Sequence, residues 1–325
     1  MKLNIIAPLF GTSGYNSHSR QLANSLNKHC DVKITTQLFP NWELQVNDEE
    51  LKMINKPDDL DRINLIIDLP FNWPQHLSKD KNIGFLVFEG DKIPLSWIDN
   101  ITDNRISQVW VPSQHTYNAV KNTFGEQWQQ IKNKIKIVPH GVDLNIFKPI
   151  ERKKDIFTFV MNKGFRHELD RGGVQHGLRA FIEEFKIGEA KLLIKLNVAY
   201  VMPPQILNEI IMKYRLEANK MNNCPEIAIS YENLPFNELP NLYSQGHVFL
   251  NPTEAEAFSL PNLEAMACGL PSITTNFGGQ TDFVTNENGW LINYKLHEVT
   301  HELMYEGIYH AHININELKK IMRYT

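Results

Sequence analysis

The feature that most constrains this chain is an alternation. Short apolar runs of strand length are followed, almost throughout the 325 residues, by stretches with apolar residues at helical spacing. Runs at 3–8, 32–36, 63–69, 83–88, 107–111 and 135–138 read as strands. Near-continuous apolar strands alternating with amphipathic helices are the pattern of a parallel sheet covered on both faces. Ser17 can cap a first helix carrying Leu22, Ala23 and Leu26, and Ser113 can cap one that runs to about Phe124 and stops at Gly125. The pattern lapses between Pro139 and Asp155, a stretch with Gly141, Pro149 and the charged run 151–155, and then restarts. Strands are expected at 156–161, 192–198, 226–229, 248–251 and 272–275, and helices at 174–185, 204–218, 236–244 and 261–268. The reading is α/β, with two doubly wound domains in tandem at 1–145 and 146–300, followed by a C-terminal segment over 301–325 with helical character at 316–324.

Composition removes several classes of function. With 42% hydrophobic and 22% charged residues, a disordered chain is excluded. The net charge is −4 and neither half is basic, so no nucleic-acid partner is indicated. Lys132, Lys134 and Lys136 could touch an anionic membrane, but peripheral membrane contact is not indicated by that balance. Cys30, Cys224 and Cys268 are far apart and form no C-x-x-C pair, which fits free thiols in a reducing cytoplasmic setting. No apolar run approaches the roughly 18 residues of a membrane helix, and the first ten residues read as a strand rather than a signal peptide.

The most informative segment is P-T-E-A-E-A-F-S-L-P-N-L-E-A-M-A-C-G-L-P, from Pro252 to Pro271. Pro261 suits the first helical turn and Gly269 the position past the end. Leu263, Met266 and Ala267 are expected to form the apolar face. Glu256 falls in the loop before the helix and Glu264 on the helix. Eight residues of continuous helix span roughly 12 Å, whereas paired glycosidase carboxylates sit about 5–9.5 Å apart. A fit with two carboxylates accepting bonds from sugar hydroxyls beside a helix N-terminus is better, since free N–H groups there attract phosphate. Spacing alone leaves a solvated glutamate on an ordinary amphipathic helix as an even alternative.

Glu256 and Glu264 within this segment resemble the E-x7-E signature of family 4 retaining glycosyltransferases, enzymes of GT-B architecture with two Rossmann-like domains about a cleft. V-P-H-G-V-D at Val138–Asp143, with Phe147 and Pro149, resembles the family's inter-domain segment. T-N-F-G-G at Thr275–Gly279, with Asp282, resembles its donor loop, the glycines at 11 and 14 its N-terminal loop, and V-W-V-P-S at Val109–Ser113 a further counterpart. The likeness covers nearly the whole chain in order, and implies two Rossmann-like domains with the helical tail, 301–325, packing back on the first. It implies transfer of a hexose-type sugar from a nucleoside-diphosphate sugar to a glycan, lipid-linked or small hydroxyl acceptor, with retention and without metal or other cofactor.

By that resemblance Glu264 holds the ribose hydroxyls and Glu256 lies at the transferred sugar. The backbone at Phe258, Ser259 and Leu260 is placed near sugar and phosphate, and Gly14 near the diphosphate. Positive charge for the leaving diphosphate falls to Arg171 and Lys163, with Arg166 in reserve. Gly172 stands where the family often has Lys, and any one of these cations taken singly is as readily a solvated loop residue. On the acceptor side, Glu89 occupies the area of a family histidine, and Tyr15 and His18 are further candidates. Asp59-Leu60-Asp61 has the D-x-D form of metal-dependent transferases but reads as a solvated turn. His310-Ala311-His312, the closest histidine pair, reads as incidental. A nucleotide-sugar epimerase and a non-catalytic nucleotide- or glycan-binding subunit are the rival readings. A nicotinamide dehydrogenase is disfavoured because no G-x-G-x-x-G follows the first strand.

Overall fold

The computed structural model describes every residue except 12, 37–45, 79–80, 152–155, 167–169, 198–202 and 301–302. Most of the charged run 151–155, the end of the strand expected at 192–198 and the start of the tail expected at 301 therefore lie outside the described residues. The chain divides into two compact units, Met1–Gly141 with Glu302–Ile308, and Val142–His301 with Tyr309–Thr325.

The first unit is built on six parallel strands: β1 (Lys2–Ile6), β2 (Asp31–Thr35), β3 (Ile63–Ile67), β4 (Asn82–Phe85), β5 (Ile106–Val111) and β6 (Ile135–Ile137). Their order is β2-β1-β3-β4-β5-β6. Helices α1 (Gly14–Leu26), α2 (Asp48–Ile54), α3 (Ile98–Thr102), α4 (Gln114–Phe124) and α5 (Trp128–Ile131) fall between them. Strand order reverses between β1 and β3, and in open α/β sheets ligands bind outside the carboxyl ends of the strands at such a reversal. The α1 cap is Ser13, not Ser17. Asn16 bonds back to the Ser13 backbone, closing a capping box in which Asn replaces the usual Glu or Gln.

The second unit repeats the theme with β7 (Thr158–Lys163), β8 (Lys191–Leu196), β9 (Glu226–Ser230), β10 (Val248–Asn251), β11 (Ser272–Thr275) and β12 (Gly289–Ile292). All neighbouring pairs are parallel. Read from β9, the order is β9-β8-β7-β10-β11-β12, the 3-2-1-4-5-6 arrangement of dinucleotide-binding folds, reversing between β7 and β10. The helices are α6 (Val174–Glu184), α7 (Pro204–Glu217), α8 (Leu239–Tyr243), α9 (Leu260–Ala267) and α10 (Ile315–Tyr324). Every residue of β7, β10 and β11 is buried. Phe159, Met161, Leu178, Phe181, Leu192 and Leu250 fill one core.

A separate antiparallel pair, β13 (Tyr294–Glu298) and β14 (Tyr309–Ile313), sets His297 opposite His310. The tail divides between the units: Glu302–Ile308 groups with the first, and α10 with the second. Leu318 and Met322 of α10 join the second unit's core, Lys319 reaches Glu183, and Arg323 donates to Glu184.

Candidate active site

Lys163 closes β7, and Glu256 lies in the loop that leaves β10. Because those two strands are neighbours at the reversal, their carboxyl ends bring the residues together. Lys163 Nζ donates to Glu256 Oε1 at 2.6 Å. Lys163 is buried, whereas Arg166 and Arg171 are exposed. Arg171 also serves through its backbone, since its carbonyl accepts from Glu254 N and Thr253 Oγ1. Of the three expected cations, the structure sets Lys163 against the glutamate.

The helix after Glu256 is eight residues long, with Pro261 in its first turn, and Gly269 lies past its end at φ 85°. Its buried face differs from the expected one. Leu263, Met266 and Ala267 are only partly covered, while Asn262, Glu264 and Ala265 are buried. Both polar atoms of the Asn262 amide lack a hydrogen-bond partner among the described residues. Ser259, just before the helix, holds a left-handed backbone at φ 73° and ψ 71°. Such a conformation in a residue with a Cβ costs about 1–3 kcal/mol and collects at functional sites. It turns the chain so that the first amides of α9 follow at once.

Glu264 accepts from Tyr243 Oη at 2.6 Å, and Tyr243 accepts from Asn162 Nδ2 at 3.1 Å. Burial pushes the Glu264 carboxyl up to about 7, against the opposing pull of the Tyr243 hydroxyl and the Lys195 charge. Lys195 is itself lowered by burial. The loop at Gly278–Gly279 presses on the Glu256 segment. Gly279 N donates to Glu256 O at 2.8 Å, and a Cβ at Gly279 would stand 1.9 Å from Ala257 O. That close approach explains why the paired glycine belongs with the Glu256 loop.

Two carboxylates beside this loop escaped the sequence reading. Asp170 is pushed up to about 7 by burial and accepts from Gln175 N at 2.6 Å. Glu254 accepts from His176 Nε2 at 3.0 Å, and His297 and His312 also approach it. The sequence signal was present in T-E-A-E and H-A-H, but α6, β13 and β14 had to be placed before the residues could meet.

In the first unit, Gly14 opens α1 beyond β1, and a Cβ there would have nothing within 4 Å. Tyr15 Oη donates to Val87 O at 3.3 Å. His18 is buried, with ring centroids 4.6 Å from Phe85 and 3.8 Å from His140. Burial lowers His18 to about 3 and holds His140 well below the usual imidazole range, so both rings are neutral at pH 7. His18 Nε2 has no hydrogen-bond partner among the described residues. The Glu89 carboxylate accepts from Tyr305 Oη at 2.5 Å. Asp59 pairs with Lys2 and accepts from Asp61 N, as a surface turn does. No helix among the described residues is long and apolar enough to cross a membrane.

Two Rossmann-like parallel-sheet units, with polar residues gathered at the carboxyl ends of their strands, define a GT-B fold. Comparison with solved structures agrees. A glycosyltransferase from Rickettsia africae superposes with a TM-score of 0.66 at 14% identity, over 99% of this chain and 87% of that one. A sucrose-phosphate synthase from Thermosynechococcus elongatus does so with a TM-score of 0.64 at 15% identity, over 100% and 89%.

Residues 226–306 match the family model described as glycosyl transferases group 1. This segment, which includes Glu256, Glu264 and Gly279, is accordingly glycosyltransferase-like in sequence as well as in fold. A curated relative, the UDP-Gal:alpha-D-GlcNAc-diphosphoundecaprenol alpha-1,3-galactosyltransferase of Escherichia coli, is 28% identical over 165 residues. That match takes in 49% of this chain and 41% of the relative's own length.

Proposed function

We propose that this chain is a metal-independent retaining glycosyltransferase of the family 4 type. It moves a hexose-type sugar from a nucleoside-diphosphate sugar to a hydroxyl on a glycan, lipid-linked or small acceptor. The observation that carries the reading is the Lys163–Glu256 pair at the reversal of the second sheet, with Glu264 following on the adjoining helix. The group 1 match over residues 226–306 supports it.

In this reading Glu264 accepts the ribose hydroxyls, and Glu256 contacts the transferred sugar. Amides at Phe258, Ser259 and Leu260 meet phosphate at a helix N-terminus, where the dipole favours negative charge. The acceptor hydroxyl attacks the anomeric carbon from the face the diphosphate leaves. The bond from that carbon to the diphosphate oxygen breaks, and a phosphate oxygen takes the acceptor proton. Lys163, with Arg171 and Arg166 at the loop, offsets the charge that grows on the leaving group. In the first unit, Tyr15, His18 and Glu89 are the acceptor candidates, and Gly14 is the candidate for a backbone approach to phosphate.

The test is nucleotide release from a panel of uridine, guanosine and adenosine diphosphate sugars with no added divalent ion. Wild type should release one nucleotide. Glu264→Ala should raise the donor KM, and Glu256→Ala should lower turnover at saturating donor. Donor binding without release, with glycan and lipid acceptors supplied, would overturn the reading in favour of a binding subunit.

A further inference from the structure

Glu254, two residues before Glu256, sits at the meeting point of three histidines from three elements. His176 comes from α6, His297 from β13 and His312 from β14. His176 Nε2 lies 3.0 Å and His312 Nδ1 3.8 Å from Glu254 Oε1, while His297 Nε2 lies 3.4 Å from Oε2. One donor atom from each of His176, Glu254 and His312 falls within 4.8 Å of the others. The strand register explains the convergence. His297 stands opposite His310, so His312, two residues on, shares its face of the ribbon.

We propose that His176 Nε2, His312 Nδ1 and Glu254 Oε1 bind a first-row transition-metal ion of the zinc class, with His297 on the second carboxylate oxygen as the orienting partner. Two imidazoles and a carboxylate are a donor set that suits zinc, with bonds of about 2.0–2.2 Å and a fourth tetrahedral position left to water. Ligand atoms around such an ion stand roughly 3.3 Å apart, so modest rotation of His312, the most exposed of the group at 62%, closes the site. His297 Nε2 is buried without a hydrogen-bond partner among the described residues. Its place beside Oε2 suits the outer-shell role that fixes a ligating carboxylate.

The backbone here is already tied on both sides. Glu254 N donates to Arg171 O, and Ala311 N donates to Glu254 O. An ion would add side-chain bonds to that clamp and fasten the β13–β14 ribbon to the loop that carries Glu256. Its role is structural, separate from the cationic charge at Lys163, and the inference does not rest on the transferase reading. It reverses the expectation that His310-Ala311-His312 is incidental.

The experiment is metal binding by the full chain after treatment with chelator. Zinc is titrated against a chromophoric chelator, and cobalt(II) is followed by its visible absorption. The inference expects one ion per chain and cobalt bands of tetrahedral nitrogen–oxygen character. His312→Gln should weaken binding at least tenfold, and His297→Gln by about 10–100-fold as an outer-shell change. Because His312 is largely exposed, its variant should fold, as circular dichroism will check. Should it not fold, the wild-type cobalt spectrum and stoichiometry decide alone. Absence of a stoichiometric ion, or zinc binding unchanged in a folded His312→Gln variant, would overturn the proposal. Neither readout involves sugar transfer.

Discussion

Lys163 and Glu256 are joined at 2.6 Å, and the cation is the more deeply buried partner, 4% exposed against 24% for the glutamate side chain. The asymmetry matters because removing the glutamate strands a buried ammonium. Breaking a buried pair costs about 3–5 kcal/mol, while replacing both partners with apolar groups can be near neutral. With Glu256 partly exposed, Glu256→Ala should lose about 2–3 kcal/mol in urea unfolding, and Lys163→Met with Glu256→Leu should lose less. Both should cut turnover by about a hundredfold or more, the scale of losing a charge-stabilising donor. A double variant that regained activity along with stability would show the pair to be structural only.

Glu264 supplies a pH dependence with a definite sign. Its carboxyl is raised to about 7 by burial. In the proposed function ribose hydroxyls donate to the charged form, so on that reading donor binding should weaken as pH falls below about 7, approaching a tenfold rise in KM per unit. Tyr243→Phe removes a donor that favours the carboxylate and should move the midpoint upward. Without donor the sign is opposite. The folded state binds the extra proton between the ordinary carboxyl range and about 7, so stability should fall as pH rises through that window. A KM profile flat from pH 8 to 6 would remove Glu264 from the donor contact.

His18 makes the first unit sensitive to acid. A folded pKa near 3 against an ordinary 6.5 means the unfolded chain takes up the proton first as pH falls. The stability is fully present above about 6.5 and is lost toward 3, at about 1.4 kcal/mol per pH unit for this ring. His140, lowered in the same direction, steepens the loss. Urea midpoints measured between pH 7.5 and 5 should decline, and His18→Asn should shallow the slope. An unchanged slope in that variant would place the acid sensitivity elsewhere.

Two glycines separate packing from ligand approach. Gly279→Ala puts a methyl 1.9 Å from Ala257 O and should destabilise by about 1–3 kcal/mol or more, or leave the protein insoluble. Gly14→Ala meets nothing within 4 Å, so its melting temperature should hold. If a phosphate approaches the backbone there, the donor KM of Gly14→Ala should still rise. A variant that kept both melting temperature and KM would take Gly14 out of the donor site.

The strand alternation was readable because buried parallel strands are apolar along their whole length. The strands at Val248–Asn251 and Ser272–Thr275 fell on the expected residues, and most others shifted by one or two. Caps were less legible. Ser13-x-x-Asn16 lacks the Glu or Gln that flags a capping box, so nothing in the local pattern singles out Ser13 over Ser17. On α9 the periodicity misled, because the second unit buries Asn262 and Glu264 where the pattern offers Leu263 and Met266. The meeting of His176, Glu254, His297 and His312 depends on a long-range ribbon pairing that no local spacing announces.

Neither compact unit is a continuous stretch of chain. Met1–Gly141 is completed by Glu302–Ile308, and Val142–His301 by Tyr309–Thr325. A chimera spliced at the conspicuous junction near residue 141 would thus inherit mismatched halves. Its front half would lack Tyr305, the hydroxyl partner of Glu89, and its back half would carry an orphaned excursion in the middle of a two-stranded ribbon. Exchanging a unit between such proteins by a single crossover is therefore a poor strategy here. Viable recombinants should need exchanges at three breakpoints, with the 302–308 segment travelling with the N-terminal parent.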